Sequence, residues 1–304
     1  MSTEYKPTFG HRLEYMLVWW LFITANLLPR VWARFRGWYL GNLLYLALGR
    51  RRRIAKHNIT ERLGVPRRRA ARIARRNFVK VAQNLLDFIR LPYFRGARRE
   101  RWMSVDGLEH LAAARRRGSG VILATAHTGP WELAAAYIHA HGHSGAALAT
   151  RQHNQLVDGL LNRLRGKAGN SVLLVDEGAR PVLRTLRANR VLYILADQDA
   201  GPDGRFIDFF GTPSSFHRGP AYFARRLGVP VCFGFSRREG AQLHAWISPP
   251  VAADPDADPE AEELRLTRLY AAALEAWIRR YPSDWYWMHR RWKTKPPHLT
   301  DDEC

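Results

Sequence analysis

Apolar and polar positions divide the chain into two textures. Up to about residue 53, two uncharged runs alternate with arginines. Tyr15 to Pro29 reads YMLVWWLFITANLLP and Gly37 to Gly49 reads GWYLGNLLYLALG; Arg30, Arg34 and Arg36 lie between them and Arg50–Arg53 follow. From Arg67 to Leu91, Ile73, Phe78, Val81, Leu85 and Phe88 recur at helical spacing, and Pro92 ends the pattern. From Val121 the texture changes. VILATAH is a short apolar strand, followed by a helix, WELAAAYIHAHG, that stops at Gly142. Residues 144–150, 171–175, 191–198, 229–236 and 242–250 read as further strands. Helices are predicted between them at NQLVDGLLNRLRGKAG, GARPVLRTLRANR and GPAYFARRLG, and a last one near Glu262–Tyr281. Strands alternating with helices predict an α/β fold with a mixed, largely parallel sheet flanked by helices. The simplest partition is a hydrophobic or interfacial membrane anchor over residues 1–53 and a catalytic domain over 54–304.

Neither apolar run is a comfortable membrane span, which needs about 20 apolar residues. Acidic residues ahead of the first run, its tryptophans and the lack of a small-residue cleavage site argue against a secretory signal. Trp19, Trp20, Trp32 and Trp38 suit a membrane–water interface. The expectation is an interfacial or short spanning anchor, with the body of the protein on the cytoplasmic side of the membrane. The competing expectation is a soluble protein whose first helices are core.

Charge sharpens this picture. Lys and Arg total 48 against 27 Asp and Glu, a net charge of +21, and only six of the 48 are lysines. The arginines cluster at 50–53, 67–76, 95–101 and 115–117. Such a surface suits nucleic acid or an anionic membrane. No nucleic-acid-binding pattern is evident, and the apolar runs beside the first cluster favour the membrane. A basic non-catalytic membrane or nucleic-acid-binding protein is the reading from a different class. Cys232 and Cys304 stand far apart, without zinc spacing, so no disulfide framework or metal is expected.

The sharpest local feature is Ala126-His127-Thr128-Gly129-Pro130-Trp131-Glu132, at a predicted strand-to-helix junction. Ligands of open α/β sheets bind beyond the carboxyl ends of strands, so His127 lies where chemistry is expected. An alcohol attacks poorly until a base takes its proton, and imidazole titrates in the right range. Glu132, brought back by the Gly-Pro turn, is expected to orient the imidazole. There is no G-x-S-x-G nucleophile elbow.

The chain resembles, over roughly residues 10–296, the bacterial lipid A biosynthesis (late) acyltransferase family of the lysophospholipid acyltransferase superfamily, and four blocks in order carry the resemblance. They are GVILATAHTGPWE (120–132), RQHNQLVDGLLNRLRGKAGN (151–170), ILADQDAGPDGRFIDFFGTPSSFHRGPAYFARRLGVPV (194–231) and YPSDWYWMHRRWKTKP (281–296). The resemblance implies a glycerolipid acyltransferase-like fold with His127 and Glu132 as the catalytic His-x4-acid pair. It implies a substrate-binding set of Arg151, Asn154, Arg163, Arg165, Asp197 and Gln198, and a Phe209-Phe210-Gly211 turn that is structural or chain-lining. The implied reaction moves an acyl chain from a thioester, acyl-acyl carrier protein or acyl-CoA, to a hydroxyl of a lipid A precursor. A lysophospholipid or other glycolipid is the alternative acceptor. No cofactor or metal is implied. The implied partners are acyl carrier protein, the lipid acceptor and an anionic membrane surface, with no nucleic acid, and the implied membrane is a bacterial inner membrane. Pro130 and Phe216 stand where many members carry Asn and Thr, and the Arg151–Asn154 spacing is one residue short.

Overall fold

The computed structural model describes residues 5–297; Cys304 lies outside them. Four helices come first: α1 (Phe9–Leu27), α2 (Arg30–Ala47), α3 (Gly49–Leu63) and α4 (Arg67–Ile89). Next come α5 (Ala97–Trp102), β1 (Met103–Asp106) and α6 (Leu108–Arg115). Strands and helices then alternate: β2 (Val121–Thr125), α7 (Trp131–Ala140), β3 (Gly145–Ala149), α8 (Gln155–Lys167), β4 (Ser171–Leu174), α9 (Ala179–Arg187) and β5 (Val191–Leu195). A hairpin, β6 (Arg205–Asp208) and β7 (Pro213–Phe216), precedes α10 (Gly219–Leu227), β8 (Val231–Glu239), β9 (Gln242–Ile247) and α11 (Pro259–Arg280).

Among the described residues the main sheet runs β1-β9-β8-β2-β5-β3-β4. The strands from β8 to β4 are mutually parallel, β9 is antiparallel to β8, and β1 is parallel to β9. The α/β architecture with a mixed, mostly parallel sheet is therefore as the alternation predicts. Two features escape the pattern. β1, Met-Ser-Val-Asp, is an edge strand of only four residues, too short for its alternation to stand out, and the β6–β7 hairpin forms a separate sheet. The turn of that hairpin is Phe209-Phe210-Gly211. Phe210 adopts φ +57°, a conformation that suits glycine, and its amide donates to Glu275 Oε2 at 2.7 Å. Both phenylalanines are buried among Trp285, Trp287 and Trp292, so this turn is structural.

α4 is the spine between the N-terminal helices and the sheet. Ala33, Gly37 and Gly41 repeat every fourth residue on α2 and are all buried. A Cβ on Gly37 would sit 2.8 Å from Gln83 Cγ, and one on Gly41 2.4 Å from Val79 Cα. The small residues thus let the two backbones touch. Because α4 is covered on both sides, its polar positions are buried as well. Asp87, 1% exposed, takes Arg30 of α2 at 3.2 Å and Arg238 of β8 at 2.6 Å. The division expected at residue 53 falls inside α3.

The spanning form of the anchor is not found. Among the described residues no helix is long and apolar enough to cross a membrane. The reason is visible in α1 and α2. Arg12 and Glu14 interrupt the first, Pro29 and Arg30 separate them, and Arg34 and Arg36 interrupt the second.

Candidate active site

β2 and β5 are neighbours in parallel register, with Thr125 opposite Leu195. Two residues on, this register brings His127 and Asp197 together just past the strand ends. His127 Nδ1 lies 2.8 Å from Asp197 Oδ1, and the His127 backbone amide donates to Asp197 Oδ2 at 3.0 Å. A carboxylate only accepts, so Nδ1 carries the proton and Nε2 keeps its lone pair. Asp197 is 2% exposed and is held further by the Trp285 indole N–H, 2.8 Å from Oδ2. The His127 side chain is 25% exposed.

Burial disfavours the charged imidazole. The neighbouring Asp197 charge, its hydrogen bond and the Glu132 charge outweigh burial and raise the pKa of His127 above the usual histidine value. Burial acts against the Asp197 carboxylate too, but the His127 charge and the bonds from His127 and Trp285 hold its pKa below the ordinary carboxylate range.

The turn after β2 is clamped from several sides. Gly129, at φ +51°, lies against β8, where a Cβ would come 2.5 Å from the Ser236 carbonyl; only glycine fits. Its amide donates to Asp284 O at 2.9 Å, and the His127 carbonyl accepts from Tyr286 N at 3.1 Å. Thr128 accepts through Oγ1 from Ser236 N and through its carbonyl from Ser236 Oγ. The 284–287 segment is in turn held by α4 and α3. Asn77 donates to the Ser283 and Trp285 carbonyls, Lys80 pairs with Asp284 at 2.5 Å, and Asn58 donates to the Trp287 carbonyl.

His127 lines a cavity of about 540 Å³ between α7 and one face of the sheet. This is ordinary for a small-molecule site. Its mouth carries His127, Trp131, Glu132, Arg165 and Gln198. Deeper it is walled by alanines, aliphatic side chains and Tyr193.

The orienting role expected of Glu132 requires correction. The Glu132 carboxylate is held by Arg165 of α8, with Nη2 at 2.6 Å and Nε at 3.1 and 3.2 Å from its oxygens. Glu132 sits in the first turn of α7, on the far side of the Gly129-Pro130 turn, so its charge reaches His127 while its hydrogen bonds go elsewhere. Asp197 occupies the position behind the imidazole.

The substrate-binding set also divides. Arg165 and Gln198 line the cavity, and the Gln198 amide nitrogen stands 3.5 Å from His127 Nδ1. Asn154 is 1% exposed and fully committed. It caps α8 through Leu156 N and binds the His11 carbonyl and Glu14, tying α8 to α1. Asn154 is therefore unavailable to a ligand. Arg151 is exposed beside Asp176 at 3.5 Å, and Arg163 lies on the exposed face of α8; neither lines the cavity.

Sequence reasoning missed Trp285, Tyr286, Ser236 and Asp284, which hold the dyad. It placed Asp197 beside the site as a support for either His127 or the acceptor, without deciding between them. The available signal was the similar ending of two strands, ATAH and LADQ, which matters only once β2 and β5 are known to be adjacent. The tail is mostly packing. Arg291 is 1% exposed and stacks 4.2 Å from the Phe216 ring centroid, and His289 Nε2 accepts from Asp199 N.

The profile of the bacterial lipid A biosynthesis acyltransferase family matches residues 3–294. The chain belongs to this family. Among its relatives, the Mycobacterium tuberculosis (strain H37Rv) phosphatidylinositol mannoside acyltransferase is 28% identical over 199 residues. That match covers 62% of this chain and 59% of that protein, less than two thirds of its length. The Escherichia coli K12 lipid A biosynthesis palmitoleoyltransferase is 25% identical over 298 residues, 93% of each chain. The lauroyltransferase of the same organism is 25% identical over 303 residues, 90% of this chain and 96% of that one. Within this acyltransferase family, the His-x4-Glu motif is here divided between a His–Asp dyad and a Glu–Arg pair.

Proposed function

We propose that this protein transfers a fatty acyl chain from an acyl thioester, with acyl-acyl carrier protein as the leading donor, to a hydroxyl of a lipid A precursor. The observation that carries the reading is the His127–Asp197 dyad at a cavity walled in part by alanines, aliphatic side chains and Tyr193. His127 Nε2 takes the proton as the acceptor oxygen attacks the thioester carbonyl carbon. The carbon–sulfur bond then breaks, and the imidazolium returns the proton to the leaving thiolate. Asp197 holds the tautomer and stabilises the imidazolium. Gln198, which lines the cavity beside the imidazole, is the side chain we assign as donor to the developing oxyanion. The Glu132–Arg165 pair supplies a fixed guanidinium at the mouth, suited to phosphate or the polar end of the donor. The cavity holds the acyl chain.

The mycobacterial relative favours a second acceptor class, a mannosylated inositol lipid. The shared chemistry is a sugar hydroxyl on a membrane lipid.

The N-terminal helices support work at a membrane surface. Among the described residues, sixteen of the twenty exposed large hydrophobic side chains lie between Phe9 and Leu48. They include Trp20, Trp32, Phe35 and Trp38, with Arg50, Arg53 and Arg67–Arg69 exposed nearby in sequence. Apolar side chains in the headgroup region with arginines beside them describe an interfacial anchor on an anionic leaflet, consistent with the cytoplasmic face of the inner membrane. The same basic surface favours an acidic carrier protein.

The test is lipid mass spectrometry of a host lacking the gene and complemented with wild type or His127→Ala. The expected result is a mass increase of one acyl chain on a glycolipid with wild type only. A full mass shift with His127→Ala would end the mechanism.

A further inference from the structure

The cavity under α7 has a floor, and strand register locates it. Leu123 and Thr125 of β2, Tyr193 and Leu195 of β5, and Ala147 and Ala149 of β3 all line it. Positions two apart on a strand share a face, so one face of the sheet forms the wall. Leu123 pairs with Tyr193, and Ala147 pairs with Tyr193, so these three make one row across the sheet. The next row toward the strand starts holds Val121, Val191 and Gly145; it is buried and does not line the cavity. Across β2, β5 and β3 the cavity therefore stops at Leu123, Tyr193 and Ala147, four residues from His127 along β2, or about 13 Å at the strand rise, while Ala168 and Asn170 line it beside β4. Ile138 of α7 also lines it.

Tyr193 defines the corner. Its ring is 4% exposed and stands over Gly145, where a Cβ would come 2.3 Å from Tyr193 Cε2. Its hydroxyl is buried without a hydrogen-bond partner among the described residues. One row nearer His127, Gly234 of β8 pairs with Thr125 and contributes no side chain. A Cβ there would meet Leu123 Cδ1 at 2.9 Å.

We infer that Tyr193, with Leu123 and Ala147 beside it, sets the longest acyl chain this protein accepts, and that Gly234 keeps the channel open above that floor. The inference rests on the acyl-transfer reading and names the residues that select its donor. A closed apolar pocket discriminates a chain one methylene too long by about 10-fold or more, because the pocket must distort or leave the end in water.

The experiment uses the purified full chain with a ladder of saturated acyl-acyl carrier protein thioesters differing by two carbons. Lipid A precursor and mannosylated phosphatidylinositol are offered in parallel as acceptors. Ala147→Leu and Gly234→Ala are expected to lower kcat/KM for the longest chain used by wild type about 10-fold or more. Tyr193→Val is expected to move the optimum at least one step longer, and Tyr193→Phe to leave it in place. Leu123→Ala opens the same row if Tyr193→Val does not fold. A ladder unchanged in the active floor variants overturns the assignment of the floor. A wild type inactive on every thioester overturns acyl transfer itself, and the inference with it.

Discussion

At the residue scale, two carboxylates compete for the role of partner to His127, and geometry separates them. Asp197 is buried and bonded to Nδ1; Glu132 is bonded to Arg165 and acts on His127 only through its charge. Their substitutions therefore differ in kind. Glu132→Gln is expected to leave the turnover of bound substrate largely intact and to raise KM about 10-fold, since Arg165 loses its fixed geometry. Steady-state kinetics in both donor and acceptor check this. A loss confined to kcat would place Glu132 in the proton transfer instead. The sequence presented His127, the turn and both acids, but spacing along one chain favoured the nearer acid. The register of two strands separated by α7, β3, α8, β4 and α9 decided for the other, and no local pattern carries that register.

At the element scale, helical periodicity located α4, and short continuous apolar runs with clear stops located most of the strands. It did not foresee that α4 is buried on two sides, because Asn77, Asn84 and Asp87 look like solvent positions. They are instead the connections from the helical layer to the sheet and the C-terminal segment. Asp87 is the most constrained, lying between Arg30 and the buried Arg238. Removing one member of a buried ionic cluster leaves the other charge unpaired, at a cost of about 3–5 kcal/mol. Asp87→Ala is expected to lower unfolding stability by that amount in urea titration. A loss below about 1 kcal/mol would show that Arg238 finds another partner. β1 and the β6–β7 hairpin stayed hidden for the opposite reason. They are four-residue strands whose pairing partners, not their own sequences, make them strands.

At the scale of the whole molecule, the +21 charge and the exposed apolar helices act together. A purely electrostatic binder leaves anionic vesicles as salt screens the attraction, whereas buried tryptophan does not respond to screening. Vesicle sedimentation is expected to retain wild type at high salt. Trp20→Glu combined with Trp32→Glu is expected to make retention salt-sensitive without altering the fold by circular dichroism. Retention of the double variant at high salt would move the docking surface elsewhere. The sequence indicated an apolar N-terminus but left open whether it spans. That depends on how much of each run packs on α4 and on the charges within α1 and α2.

Asp197 raises the basicity of His127. The most direct test is the pH dependence of kcat/KM for wild type and Asp197→Asn. A base works when neutral, so a raised pKa moves the acid limb upward. The wild-type rate is expected to climb through a midpoint above the usual histidine value of about 6.5. Without the aspartate charge, burial prevails. The limb of Asp197→Asn is expected to fall below that value, and its plateau to drop on the order of 10³–10⁴-fold. An unmoved limb with a plateau within a few-fold of wild type would contradict the account.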